Sequence, residues 1–162
     1  MSYHIRNAVS ADLPRIDDIY AYARDFMEKT GNPNQWGKTN PPHEWLVEDI
    51  RKQLLHVIED DEGVHGVFYF YIGEDPTYGV IEDGAWHSDE TYGTIHRIAS
   101  DGSGGILRTA VEFCKTKINH IRIDTHHDNI VMQKAVAKLG FERSGIIHLA
   151  NGSPRIAYEL NL

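Results

Sequence analysis

The chain of 162 residues reads as one α/β domain, with a mixed central sheet of about seven strands flanked by about four helices. Three observations predict this. Leu13, Ile16, Ile19, Tyr20, Ala23, Phe26 and Met27 recur at helical spacing. Two stretches, 54–73 and 141–160, read as pairs of strands joined by turn residues, Asp61-Glu62-Gly63 in the first and Asn151-Gly152-Ser153 in the second. Between them, residues 92–139 read as strand, glycine-rich turn, helix, strand, helix, which is a βαβα section.

In chain order, YHIRNAV (3–9) predicts a first strand. Ser10 is placed to cap the following helix, and Pro14 lies in its first turn. Gly31 and Asn32 end that helix, and GNPNQWGKTNPP (31–42) is a loop of turn formers. Trp36 in this loop reads either as a plug for a nearby core or as the wall of a pocket. HEWLVEDIRK (43–52) predicts a second helix with Trp45, Leu46 and Ile50 inward. After the first hairpin comes an irregular segment, 74–90, carrying Glu82, Asp83, Trp86 and His87. A strand to Ser100 follows, in which Ile95, Arg97 and Ala99 alternate with His96, Ile98 and Ser100. The turn Asp101-Gly102-Ser103-Gly104-Gly105 leads into a helix over 105–118. HIRIDT (120–125) is a strand. Asp128 or Asn129 opens a helix with Val131, Met132, Ala135, Val136 and Leu139 on its apolar face, and Gly140 stops it.

Composition narrows the function classes. Net charge is −8 with histidine neutral, which disfavours nucleic acid, a partner that demands clustered cations, and suits a neutral or cationic substrate. No apolar run is long enough to span a membrane, and polar breaks in MSYHIRNAVSADLPRID disagree with a signal peptide, so the expected location is cytoplasmic. The single cysteine, Cys114, excludes an internal disulfide and reads as a buried structural thiol on a helix face. His126 and His127, with His120, raise the question of metal. Adjacent histidines in a strand point to opposite faces, and no HExxH pattern is present, so no metal is expected. GxSxG, the Walker loop and GxGxxG are likewise absent.

The glycine turn carries the chemistry. The first amides of a helix have no intrahelical partner, the helix dipole favours negative charge there, and glycines let a bulky phosphate approach the backbone. Residues 101–107 therefore offer a pyrophosphate seat; a plain flexible connection is the competing reading.

The element order, with a glycine turn after the fourth strand, resembles the GNAT family of N-acetyltransferases over nearly the whole chain. IHRIASDGSGGIL (95–107) is similar to the family's acetyl-CoA segment. IRIDTHHDNIVMQKAVAKLGFERSG (121–145) is similar to its next strand, Asn-led helix and Lys-Leu-Gly-Phe ending, and GIIHLANGSPRIAYEL (145–160) to its closing hairpin. The resemblance implies one acyltransferase domain over 1–162, using acetyl-CoA to acetylate a primary amine of a small molecule by direct attack, with homodimers common in the family. It implies main-chain contacts from Ile98, Ala99 and Ser100 to the pantetheine arm. Pyrophosphate contacts would come from Gly102, Ser103, Gly104, Gly105, Ile106 and Leu107. Asn129 would reach the pantetheine, or simply cap its helix, and Lys134 or Lys138 would meet the adenosine phosphate or form a solvated face. The chain departs from the family in three places. Gly102 stands where Gln or Arg is usual, Leu107 where a small residue is usual, and Val136 where a tyrosine often serves as general acid.

An alkylamine, with a pKa near ~10, arrives protonated and needs a base. His96 and Glu82 are the candidates, each also readable as a structural group. Tyr22, Phe26, Trp36, Trp86 and Tyr92 are candidate walls of the amine pocket, with cation–π attraction as their physical use. Two alternatives stand beside catalysis: an acyl-CoA-binding or ligand-sensing module without turnover, and a structural dimer with a vestigial site.

Overall fold

Seven strands form one sheet in the order β1-β2-β3-β4-β5-β7-β6 in the computed structural model, which describes residues 2–162. The strands are β1 (His4–Asn7), β2 (Leu55–Asp60), β3 (Gly63–Ile72), β4 (Gly93–Ser100), β5 (His120–Thr125), β6 (Glu142–His148) and β7 (Pro154–Asn161). The helices are α1 (Leu13–Lys29), α2 (His43–Arg51), α3 (Ile106–Lys115) and α4 (Ile130–Lys138). All neighbouring strands run antiparallel except β4 and β5, which are parallel. The mixed sheet and four helices are those predicted.

Helices cover both faces. Ile16, Ile19, Tyr20 and Ala23 of α1 and Leu46 of α2 pack with Leu55, Val57, Val67 and Ala99 on one face. On the other, Ala110, Val111 and Cys114 of α3 and Val136 of α4 pack with Phe68, Phe70, Ile95, Ile121 and Ile123. Cys114 is fully buried, and burial pushes its thiol well above the ordinary value, so it is a packing residue. No helix among the described residues is long and apolar enough to cross a membrane.

Three local expectations need correction. Ser10 does not cap α1: Ser10–Asp12 form a 3-10 turn, and the Asp12 carboxylate accepts the Val9 N–H while holding Arg6. Trp45 is not inward but 53% exposed; Asp49 takes the buried position and is neutralised by Arg97. The regular alternation expected in β4 breaks at a bulge. Tyr69 pairs with His96 and Val67 with Ala99, so Phe68 alone faces Arg97 and Ile98, and Arg97 has φ +53°. A bulge turns one extra residue onto a face it would otherwise avoid.

Candidate active site

β4 and β5 are in register only at Gly93, Thr94 and Ile95, opposite Ile121, Arg122 and Ile123. Beyond that the strands part, and the gap between them is the centre of the site. One side of the gap opens on a largely apolar cleft of about 360 Å3, between the C-terminal half of α1, the end of β4, the glycine turn and the first turns of α3 and α4. Ile98, Ala99, Ser100, Gly102, Ile106, Leu107 and Asn129 line it, as do Tyr22 and Phe26. Lys134 and Lys138 are exposed on α4.

The turn above this cleft is built by its own side chains. Ser100 Oγ accepts the Gly102 N–H, and Asp101 Oδ1 accepts the Ser103 N–H. Those two amides, included in the expected pyrophosphate set, are therefore already engaged. The N–H groups of Gly104, Gly105, Ile106 and Leu107 have no partner among the described residues. Gly105, at φ +79°, is the N-cap of α3, so these amides lie at the positive end of the helix dipole. A side chain at Gly105 would meet only Tyr3 Cε2, at 3.8 Å, so the space in front of the turn is open. A row of free amides over an apolar cleft fits a pyrophosphate with an apolar arm. The turn is braced from behind: Asp101 Oδ2 takes Arg15 at 2.7 Å and His65 Nδ1 at 2.8 Å, and His65 Nε2 meets Asp60 at 2.7 Å. The Tyr3 hydroxyl donates to the Gly104 carbonyl. The Asp101 and Asp60 hydrogen bonds raise the His65 pKa above its ordinary value.

Asn129 caps α4 by accepting the Met132 N–H, and its Nδ2 donates to Gln35 Oε1 at 3.0 Å. Gln35 also accepts from Asn32 and Thr125, so the 31–42 loop is tied to the end of β5. Val136, where a tyrosine acid was looked for, is fully buried in the core.

The opposite side of the gap is polar. His96 is the first β4 residue past the last paired position, and Asp124 is the first on β5. The bulge puts His96 and Arg97 on the same α1–α2 face, beside Tyr69, with ring or guanidinium distances of 5.6 Å and 4.6 Å. The expectation that His96 shares a face with Ile98 is thereby overturned; Ile98 packs into the α3-side core. His96 Nε2 lies 2.7 Å from Asp75 Oδ2, and Nδ1 lies 3.6 Å from Asp124 Oδ1. The Tyr78 hydroxyl donates to Asp124 Oδ1 at 2.6 Å. Burial works against the Asp75 charge, but hydrogen bonds from His96 and Thr77 outweigh it and hold its pKa at about 2.

Glu82 is not near this cluster. Its backbone bridges to Ile146 of the edge strand β6, and its side chain is exposed. Trp86 and Tyr92 are turned to Arg122. Their rings clasp the Arg122 guanidinium, each at 3.8 Å, and the Tyr92 hydroxyl accepts the Asp75 N–H. A buried cation on β5 needs that aromatic cover. Trp36 packs edge-on against Tyr20, at 5.5 Å, as a plug for the α1-side core. Tyr22 and Phe26 stand on the cleft side of the gap rather than beside His96. Asp75, Tyr78 and Asp124 were not singled out from sequence; each is an ordinary residue type until β4, β5 and the 74–90 segment meet. The strand argument against metal also loses its geometry. β5 ends at Thr125, and the His126 and His127 rings stack at 4.3 Å beside Asp128. His126 Nδ1 is occupied by the Asp128 N–H.

Among solved structures, a GNAT-family acetyltransferase from Streptococcus agalactiae superposes with a TM-score of 0.87 at 28% identity, covering 99% of this chain and 95% of its own. The chain has the fold of the GNAT acetyltransferases. A second GNAT acetyltransferase, from Listeria monocytogenes, superposes over 99% of this chain and 95% of its own, with a TM-score of 0.72 at 17% identity. A GNAT-superfamily phosphinothricin acetyltransferase from Sinorhizobium meliloti, solved with acetyl-CoA, covers all of this chain with 89% of its own, with a TM-score of 0.64 at 16% identity. These GNAT neighbours are acyl-transfer proteins. No protein-family model and no curated protein sequence matches the chain.

Proposed function

We propose that the chain is an N-acetyltransferase that moves an acetyl group from acetyl-CoA to the primary amine of a small molecule. The observation that carries this reading is the gap between β4 and β5, with free amides over an apolar cleft on one side and His96 on the other. The Gly104, Gly105, Ile106 and Leu107 amides would hold the pyrophosphate, and the main chain of Ile98, Ala99 and Ser100 the pantetheine arm. Lys134 or Lys138 would meet the adenosine phosphate. Bound acetyl-CoA supplies a thioester whose carbonyl carbon accepts the amine lone pair with loss of the thiol. His96 takes the amine proton, the role a base must fill for an alkylamine at neutral pH. An N–H at the β4 bulge, near Ile98, meets the negative charge that develops on the carbonyl oxygen. The apolar walls of the cleft exclude water from the thioester. With Val136 in the core, α4 supplies no tyrosine acid at that position, and a thiolate is a good enough leaving group for transfer to proceed without it. A cytoplasmic setting, where acetyl-CoA is made, agrees with this chemistry.

The test is release of CoA thiol from acetyl-CoA on addition of primary amines. Amine-dependent release that His96→Gln abolishes supports the reading. Tight CoA binding with no release for any amine would instead favour a sensing module.

A further inference from the structure

His96 and Asp124 face each other where β4 and β5 part, and each has one polar atom without a partner. Asp75 is ionised, so it can only accept; His96 Nε2 must therefore carry the hydrogen of that bond. In the neutral ring, Nδ1 is then a lone pair. It lies 3.6 Å from Asp124 Oδ1, too far for a hydrogen bond, and no other described residue bonds it. Asp124 Oδ1 is taken by Tyr78, while Oδ2 has no hydrogen-bond partner among the described residues and is not sealed from solvent. An acceptor nitrogen and an acceptor oxygen thus face the same fork between the strands, with the Tyr69 and Tyr78 rings 5.6 Å and 5.9 Å from the His96 ring. A group that fills it must donate at least two hydrogens and suits a positive charge.

We propose that His96 Nδ1 and Asp124 Oδ2 form the seat of the acceptor's alkylammonium group, and that Asp75 is a positioning residue that keeps the His96 lone pair turned toward it. This rests on the acetyl-transfer reading above and names its substrate class: an aliphatic primary amine that arrives charged, rather than an alcohol or an arylamine. The ammonium donates one N–H to Asp124 and one to His96 Nδ1. Transfer of the second proton leaves a neutral amine, with its lone pair on nitrogen, and an imidazolium between two carboxylates. The charges facing this seat agree with it. Asp75 from the 74–90 segment and Asp124 from β5 are negative. Arg155 on β7 faces Asp124, but its guanidinium is spent on the Gln35 carbonyl and on Ser153. On the α2 side, Arg97 is neutralised by Asp49 at 2.7 Å.

The experiment uses n-butylamine with the neutral isostere n-butanol as control, and follows the His96 ring nitrogens by NMR without acetyl-CoA, with CoA affinity measured by calorimetry on the same samples. The seat predicts saturable n-butylammonium binding that shifts His96 Nδ1, no response to n-butanol, and binding weakened roughly tenfold or more in Asp124→Asn. CoA affinity is unchanged in that variant. Asp75→Asn mixes the His96 tautomers and shifts the pH profile of amine-dependent turnover, which a merely structural role would not. If Asp124→Asn does not fold, His96→Asn tests the same seat from the other side. Equal n-butylammonium affinity in wild type and variant, or equal response to n-butanol, overturns the proposal. Loss of CoA binding with the seat intact overturns the acetyl-transfer reading instead, and leaves the ammonium site supported.

Discussion

In the proposed reading, the two sides of the β4–β5 gap solve recognition by opposite means. On the cleft side the donors are backbone amides, Gly104 to Leu107, and the side chains mainly supply apolar walls. On the other side the backbone only sets positions, and the chemistry belongs to side chains from three separate stretches: Asp75, His96 and Asp124. A backbone site tolerates changes of sequence that keep the turn's shape, which is how Gly102 and Leu107 can stand where the GNAT pattern has other residues. A side-chain site tolerates few. Substitutions on the two sides should therefore have separable effects.

The largest effect is expected at His96. His96→Gln should lower amine-dependent turnover by roughly 10²–10⁴-fold while leaving CoA affinity as it was, read by thiol release and calorimetry. Loss of both together would mean the two sides are not separable. Gly105→Glu should do the reverse. It puts a carboxylate and an unfavourable φ of +79° at the mouth of the turn, and CoA affinity should fall about tenfold or more, with far-UV circular dichroism unchanged. Asn129→Ala sits between the sides. Removing the α4 cap and the link to Gln35 should cost about 1 kcal/mol, seen as a lower midpoint in urea.

The smallest effect is one of pH and acts on the brace behind the turn. The His65 pKa is raised by Asp101 and Asp60, so its contribution is complete below its ordinary value near ~6.5 and is lost as pH rises through the raised value. Asp101 is lowered: burial opposes its charge, but hydrogen bonds from Ser103 and His65 outweigh that. Its contribution is present above the usual carboxylate range and lost as pH falls. The brace is thus strongest between the two titrations. CoA affinity should decline modestly on the alkaline side of the His65 titration, and His65→Gln should flatten that decline. The same slope in both proteins would detach His65 from the turn.

The difference between the two sides also explains what could be read from sequence. The turn was legible because backbone work leaves glycines in a row, between a period-two run and a period-3.6 run. The strands and helices were legible for the same reason: their burial is periodic. The β4 bulge was not, because Arg97 takes its left-handed conformation with no glycine to mark it. Missing the bulge put His96 on the face of Ile98. Trp45 was read inward on hydrophobicity alone, but Arg97 draws Asp49 into the core and covers itself with the exposed Trp45 ring. Glu82 stands out in sequence only by its place in an irregular segment, and that segment is pinned to β6 by its backbone. Asp75 and Asp124 lie 21 and 28 residues from His96 (96 − 75 and 124 − 96); the 74–90 segment carries the first to it and the parallel β4–β5 crossover the second.

The most direct test of the central claim is a thermal melt with and without acetyl-CoA. Ligand at about a hundred times its Kd adds roughly 2.7 kcal/mol to the folded state, and for a chain of this length the midpoint should rise by roughly 5–10 °C. That rise is the predicted result. An unchanged midpoint at millimolar acetyl-CoA would contradict it, because four free amides over an apolar cleft would then hold no pyrophosphate.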